Sequence, residues 1–265
     1  MTPLVAHIDG VSLWSPQLPG WEAALAAFEL GRVPESPPLA VPPPAQLPPA
    51  ERRRAPQTVS LALATAGEAV QDSGHDPARL LAVFASAHGD LPVIDEVCRT
   101  LVQTPLLVSP TRFLHSIHNA PAGFWSLLSH NQRSNTAVCG AGHSFAQGLF
   151  EALVQCEAEQ SPVLFVAYDT AAVGALTHTT RSEGALSVAL VLSPQSGPNS
   201  LARIAWSAQA GLVDAPGAST PAGRNLQANA MAPAVPLFED LAQRQTAPRA
   251  WPMSDQQALH LQLQF

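Results

Sequence analysis

The residues best suited to covalent chemistry fall in Ser134–Cys156, SNTAVCGAGHSFAQGLFEALVQC. Cys139 closes a short apolar run from Thr136 and precedes Gly140-Ala141-Gly142, after which the spacing turns helical. Strand, tight glycine turn and helix N-terminus in that order set a thiol where free N–H groups and the helix dipole favour an anion. One reading of Cys139 is a thiol of lowered pKa that attacks acyl thioesters. The other is a small buried residue that closes a strand against the sheet.

Other side chains offer weaker chemistry. His115 and His118 stand three apart, as metal ligands do, but no third ligand follows at useful spacing, and neither a metal nor another cofactor is expected. His88 lies in a polar loop after an apolar run. His143 lies in the first turn of the elbow helix, where the dipole opposes its protonation. Either is a candidate for a pocket or an interface. Asp169 and His178 are the types of a hydrolase pair with Ser144, yet no Gly-x-Ser-x-Gly elbow is present. Arg52, Arg53 and Arg54 form either a solvated helix entrance or a contact for an acidic partner or a phosphate. Cys98, on the apolar side of a helix at 93–102, is expected in the core.

The elements that would position these groups alternate. An opening strand at 4–14, bent at Gly10, leads into a short helix at 20–30. Val33–Pro49 follows, where eight of seventeen residues are proline and neither a helix nor a central strand forms. Residues 56–72 read as a helix, with Val59, Leu63, Ala66, Ala69 and Val70 as its buried stripe and Ser73-Gly74 as its stop. The run LLAVFA at 80–85 is a strand covered on both faces. Residues 109–118 read as irregular, and 119–128 as a helix with Asn119 as N-cap. After the elbow helix come strands at 162–168 and 184–192, expected to pair as a hairpin, a further strand at 201–208 and a short helix at 235–243. Strict alternation at 258–265 marks a half-buried edge strand.

Composition narrows the function classes. The chain has 265 residues, 46% hydrophobic and 12% charged, so the charged surface is sparse, as when a partner covers part of it. A formal net charge of −7 argues against nucleic-acid binding. Three cysteines, no secretory signal and no apolar run of bilayer-spanning length predict a cytoplasmic protein without membrane insertion.

Several stretches, in order, resemble one family: ASAHGD at 85–90, SPTRF at 109–113, SIHNAPAG at 116–123, TAVC at 136–139 and EGA at 183–185. The chain resembles the N-terminal half of a β-ketoacyl synthase of the thiolase-like superfamily. More narrowly, it is similar to the short chain-length-factor type of aryl polyene and related polyketide pathways. The resemblance implies an α/β fold: a single thiolase-like βαβαβ half with a mainly parallel sheet covered by helices. Residues 1–192 would form that domain, with a proline-rich insertion at 33–50, and residues 193–265 a short irregular extension.

The resemblance also implies roles. Active members place cysteine directly after Thr-Ala, whereas this chain has Val138 there and Cys139 one position later. The family's two C-terminal histidine motifs do not follow Leu192. A non-catalytic subunit is therefore implied, pairing as a heterodimer with a catalytic ketosynthase and shaping the end of its acyl tunnel during fatty acid, aryl polyene or polyketide synthesis. His88, Phe113, His118, Asn119, Phe124, Trp125, Val138 and His143 are the implied pocket or interface residues. Arg52, Arg53 and Arg54 are the implied contact for an acyl carrier protein. Two alternatives stay open: an acyltransferase or priming enzyme that uses Cys139, and a homodimeric scaffold.

Overall fold

The computed structural model of the chain describes residues 3–265 other than 34, 36, 44–46 and 53. In chain order the elements are β1 (Leu4–Trp14), α1 (Trp21–Leu30), α2 (Pro49–Arg52), α3 (Gln57–Ser73), β2 (Leu81–Ala85), α4 (Leu91–Gln103), α5 (Pro110–His115), α6 (Ala120–Leu128) and β3 (Asn135–Val138). Then follow α7 (Ser144–Glu159), β4 (Val163–Asp169), β5 (Leu186–Ser193), β6 (Ala202–Ala210), α8 (Pro221–Arg224), α9 (Val235–Ala242), β7 (Arg249–Pro252) and β8 (Gln257–Gln264).

All eight strands join one sheet in the order β3-β2-β4-β5-β1-β6-β8-β7. β2 runs parallel to β3 and β4, while β1, β5, β6, β7 and β8 add antiparallel pairings. The sheet is mixed, not mainly parallel. Parallel neighbours need crossover connections, and helices α4 to α7 supply them only between β2, β3 and β4. The link from β4 to β5 carries only a 3-10 turn at Gly174–His178, so β5 returns antiparallel beside β4.

Residues 193–265 are likewise not an irregular extension, since they add β6, β7 and β8 to this sheet. The alternation at 258–265 does form a strand, with Leu259, Leu261 and Leu263 buried. β8 is not the edge, however, because β7 covers it. The four-residue RAWP of β7 is too short to show a period, and its proline suits an outermost strand.

Apolar runs in β2, β4 and β5 are wholly buried because both faces are covered. Leu81, Val83, Val163, Phe165, Val188 and Leu190 point toward α1, α7 and α9. Phe84, Leu164, Val166 and Val191 point toward α3 and α6. Gly10, at a bulge in β1, lets α3 approach closely: a Cβ there would lie 2.0 Å from the Ala69 carbonyl oxygen. Beside it, buried Asp9 accepts from Ser193, from Ser200 Oγ at 2.7 Å, and lies 2.8 Å from His75 Nε2. This cluster ties the chain after β5 to the end of α3.

Two local expectations change. Cys98 is exposed, because α4 turns Leu91, Val93 and Val97 inward instead. Residues 110–115, expected to be irregular, form α5, started by a Ser109 cap and Pro110 in the first turn.

Candidate functional site

The carboxyl ends of β3, β2 and β4 lie side by side, with Val138 opposite Ala85 and Ala85 opposite Ala167. Each strand then releases a polar loop, the usual placement of sites in α/β sheets. Asp169, fully buried at the end of β4, accepts from Ser86 Oγ at 2.7 Å and from Ala87 N at 2.8 Å. Ser86 Oγ also accepts from Gly89 N at 2.8 Å, which closes the 86–89 turn. Asn229, from the C-terminal region, donates to the carbonyls of Asp169 (3.2 Å) and Glu183 (3.0 Å).

Burial pushes the Asp169 carboxyl up to about 7, against the opposing pull of its Ser86, Ala87 and His88 hydrogen bonds. His88 Nε2 stands 3.5 Å from Asp169 Oδ1 and makes no hydrogen bond among the described residues. Its Nδ1 lies 3.4 Å from Thr180 Oγ1. Burial, and then the neighbouring His118, hold the His88 pKa below its ordinary value, so the pair favours two neutral groups. The His118 ring meets the Ser86 carbonyl through Nε2 at 3.0 Å, and its own carbonyl accepts from Tyr168 at 3.4 Å.

Cys139 is exposed, not the strand-closing buried residue of one reading. Its thiol donates to the Ala87 carbonyl at 3.3 Å. The turn after it is a 3-10 segment, Ala141–His143, entered through Ala141 at φ 48°. α7 begins only at Ser144, whose hydroxyl accepts from Gly140 N at 2.9 Å and donates to the Ala141 carbonyl at 2.8 Å. The helix entrance therefore lies one turn beyond the thiol. Among the described residues no imidazole hydrogen-bonds the Cys139 thiol, so it lacks the paired base that activates a nucleophile. The Asp169, His178 and Ser144 set does not assemble either: Asp169 holds Ser86, Ser144 holds the turn, and His178 is exposed.

The remaining predicted residues are dispersed. Val138 is half-buried against the α7-side core. Asn119 occupies the N-cap position of α6 without a side-chain cap bond. Phe124 is half-buried with its ring 5.9 Å from that of His115, Trp125 is buried under α3, and Phe113 is exposed. His143 Nδ1 is buried without a partner among the described residues. Arg52 donates to the Leu47 carbonyl through Nε and Nη2 at 3.2 and 2.9 Å, Arg54 is exposed, and Arg53 lies outside the described residues.

Ser86 and Asn229 escaped the sequence reading. Each acts only through a neighbour that the sheet order brings close. Among the described residues no group of three or more His, Cys, Asp or Glu side chains is placed to hold a metal ion. Among them, too, no helix is long and apolar enough to cross a membrane.

A family model described as the β-ketoacyl synthase N-terminal domain matches residues 29–251. The chain belongs to this family. Comparison with curated proteins found no match. Among solved structures, one similar chain comes from a ketosynthase (ApeO) in complex with its chain length factor (ApeC) from Xenorhabdus doucetiae: TM-score 0.73, 21% identity, covering 98% of this chain and 99% of the other. The ishigamide ketosynthase/chain length factor gives TM-score 0.72 at 16% identity, again covering 98% and 99%. A type II polyketide acyl-carrier protein complex with its ketosynthase, AntDE:AntF, gives TM-score 0.71 at 12% identity with the same coverage. At these identities the likeness establishes the thiolase-like fold.

Proposed function

We propose that this chain is a non-catalytic ketosynthase-like subunit that pairs with an active ketosynthase. The observation that carries the reading is the surface between β2 and β3. Of fifteen large hydrophobic side chains exposed among the described residues, eight fall within 101–127: Leu101, Val102, Leu106, Leu107, Phe113, Leu114, Ile117 and Leu127. Leu106 is 98% exposed. Such a concentration in a sparsely charged chain marks an interaction face. The segment leads directly into β3, the edge strand of the sheet, whose outer backbone groups are open to further pairing.

The carboxyl-edge cluster supports the non-catalytic half of the reading. It has imidazoles, a carboxyl and a thiol, but the Asp169 carboxyl and the His118 ring hold the 86–90 turn, and the Cys139 thiol donates to the Ala87 carbonyl. In the pair, Phe113 would border the partner's tunnel, and Arg52 and Arg54 would face an acyl carrier protein. Activity separates this from a thiol enzyme. The purified chain alone should show no condensation or acyl transfer with acyl- and malonyl-carrier substrates. Mixed with its ketosynthase, the Cys139→Ala variant should support the same product lengths and rates as the unaltered chain. Acylation of Cys139 by the chain alone, abolished in the alanine variant, would contradict the proposal.

A further inference from the structure

Outside the carboxyl-edge cluster, residues 54–55 and α5 border a cavity of about 450 Å³, lined by Arg54, Ala55, Ser109, Thr111, Arg112 and His115. Five of these six side chains are polar, two are guanidiniums and none is a carboxylate. The chain as a whole carries 13 Lys and Arg against 20 Asp and Glu, so two guanidiniums in one hollow run against its charge balance. Glu96 meets Arg112 at Nε from 3.2 Å and is itself half-exposed. The Ser109 hydroxyl oxygen accepts from Arg112 N at 3.4 Å, which leaves its O–H as a donor. Burial and then the Arg112 charge lower the pKa of His115, against an opposing pull from Asp90.

We propose that this cavity binds a phosphate-class oxyanion, with Arg54 and Arg112 as its charged donors and Ser109 and Thr111 as its hydroxyl donors. A carboxylate satisfies one planar guanidinium, whereas a tetrahedral phosphate presents acceptors in several directions and can engage two forks and a hydroxyl together. The phosphate could be free, a terminal ester or an internal diester of a longer ligand, and these share one chemistry. The site rests on its own lining and does not depend on the pairing proposed above.

Calorimetric titration of the full chain at low ionic strength, with inorganic phosphate, methyl phosphate and dimethyl phosphate in turn, tests it. One-site saturable binding of inorganic phosphate is expected. Arg54→Gln and Arg112→Gln should each weaken it by about tenfold, the scale of one charged hydrogen bond. Glu96→Gln should strengthen it by removing the competing carboxylate. Arg99→Gln, which removes a cation already paired with Asp95 at 2.5 Å, should leave it unchanged. Binding of methyl but not dimethyl phosphate supports a terminal ester, and binding of both supports an internal diester. No saturable binding at millimolar phosphate, or full affinity in the Arg54→Gln/Arg112→Gln double variant, would overturn the site. All four substituted residues are at least partly exposed, so thermal unfolding should stay unchanged and report intact folding.

Discussion

The segment joining β2 to β3 begins and ends in opposite physical conditions. At its start, the 86–90 turn is closed on itself: Ser86 holds Asp169 and Gly89, His118 holds Ser86, and buried Asp90 caps α4 while accepting from Thr58 at 2.8 Å. Farther on, residues 101–127 leave leucines, a valine, an isoleucine and a phenylalanine facing water. One region is tied together by its own hydrogen bonds. The other leaves apolar surface open to solvent. The contrast separates what holds this chain together from the face that the proposed pairing would use, and substitutions in the two regions should have opposite signatures.

The largest effect on stability is expected from Asp169→Ala. Removing the carboxylate strands the Ser86 hydroxyl and the Ala87 amide, at a cost of about 3 kcal/mol in chemical denaturation. Pairing would then suffer only through lost folded protein. A Leu106→Glu/Phe113→Glu double variant should do the reverse. Its stability should stay within about 0.5 kcal/mol of the parent, while affinity for a partner ketosynthase falls by roughly a hundredfold. A double variant that unfolds, or that pairs as tightly as the parent, would dissolve the distinction between the two regions.

A smaller effect is expected from pH. The Asp169 carboxyl sits near 7 when folded against an ordinary 3.8, so between those values the folded state holds a proton that the unfolded state has released. This group's contribution to stability therefore declines as pH rises from about 4 to about 7, then levels off. His88, with its pKa lowered, acts in the opposite sense, its penalty growing as pH falls below its ordinary 6.5. Asp169→Asn should remove the first trend and leave the second. The expected difference between the two stability–pH curves is a decline present only in the parent.

The mildest test concerns thiols. Iodoacetamide should label Cys98 and Cys139, both exposed, and spare Cys156, which is buried with its pKa pushed up to about 12. The third label should appear only on unfolding. Rapid labelling of Cys139 alone, far ahead of Cys98, would restore the activated-thiol reading.

Much of this was legible in the sequence where a pattern is local. The 3.6-residue stripe of α7, the glycine stop after α3, the unbroken apolar runs of β2, β4 and β5, and the bend at Gly10 each follow from side chains within a few positions. What was not legible depends on neighbours distant in sequence. The antiparallel pairing of β4 with β5 was expected and forms, but the insertion of β1 between β5 and β6 and the capture of β8 beneath β7 are properties of sheet order, which no local period encodes. The same holds for the site. Cys139, His88 and His118 stood out by type, but the Ser86–Asp169 bond joins residues 83 positions apart. Asp169 therefore invited a hydrolase reading with its neighbour in sequence, His178, until β2 and β4 proved adjacent. Cys98 was misplaced for a related reason: burial habit favours the core, yet α4 has only one covered face.

The most direct test of the central claim is purification of the tagged chain from its native cells, followed by native mass spectrometry of the intact assembly. The account predicts a one-to-one complex with a ketosynthase that carries a complete cysteine and two-histidine set. Recovery of the chain alone, or as a homodimer that ignores that ketosynthase when the two are mixed, would contradict it.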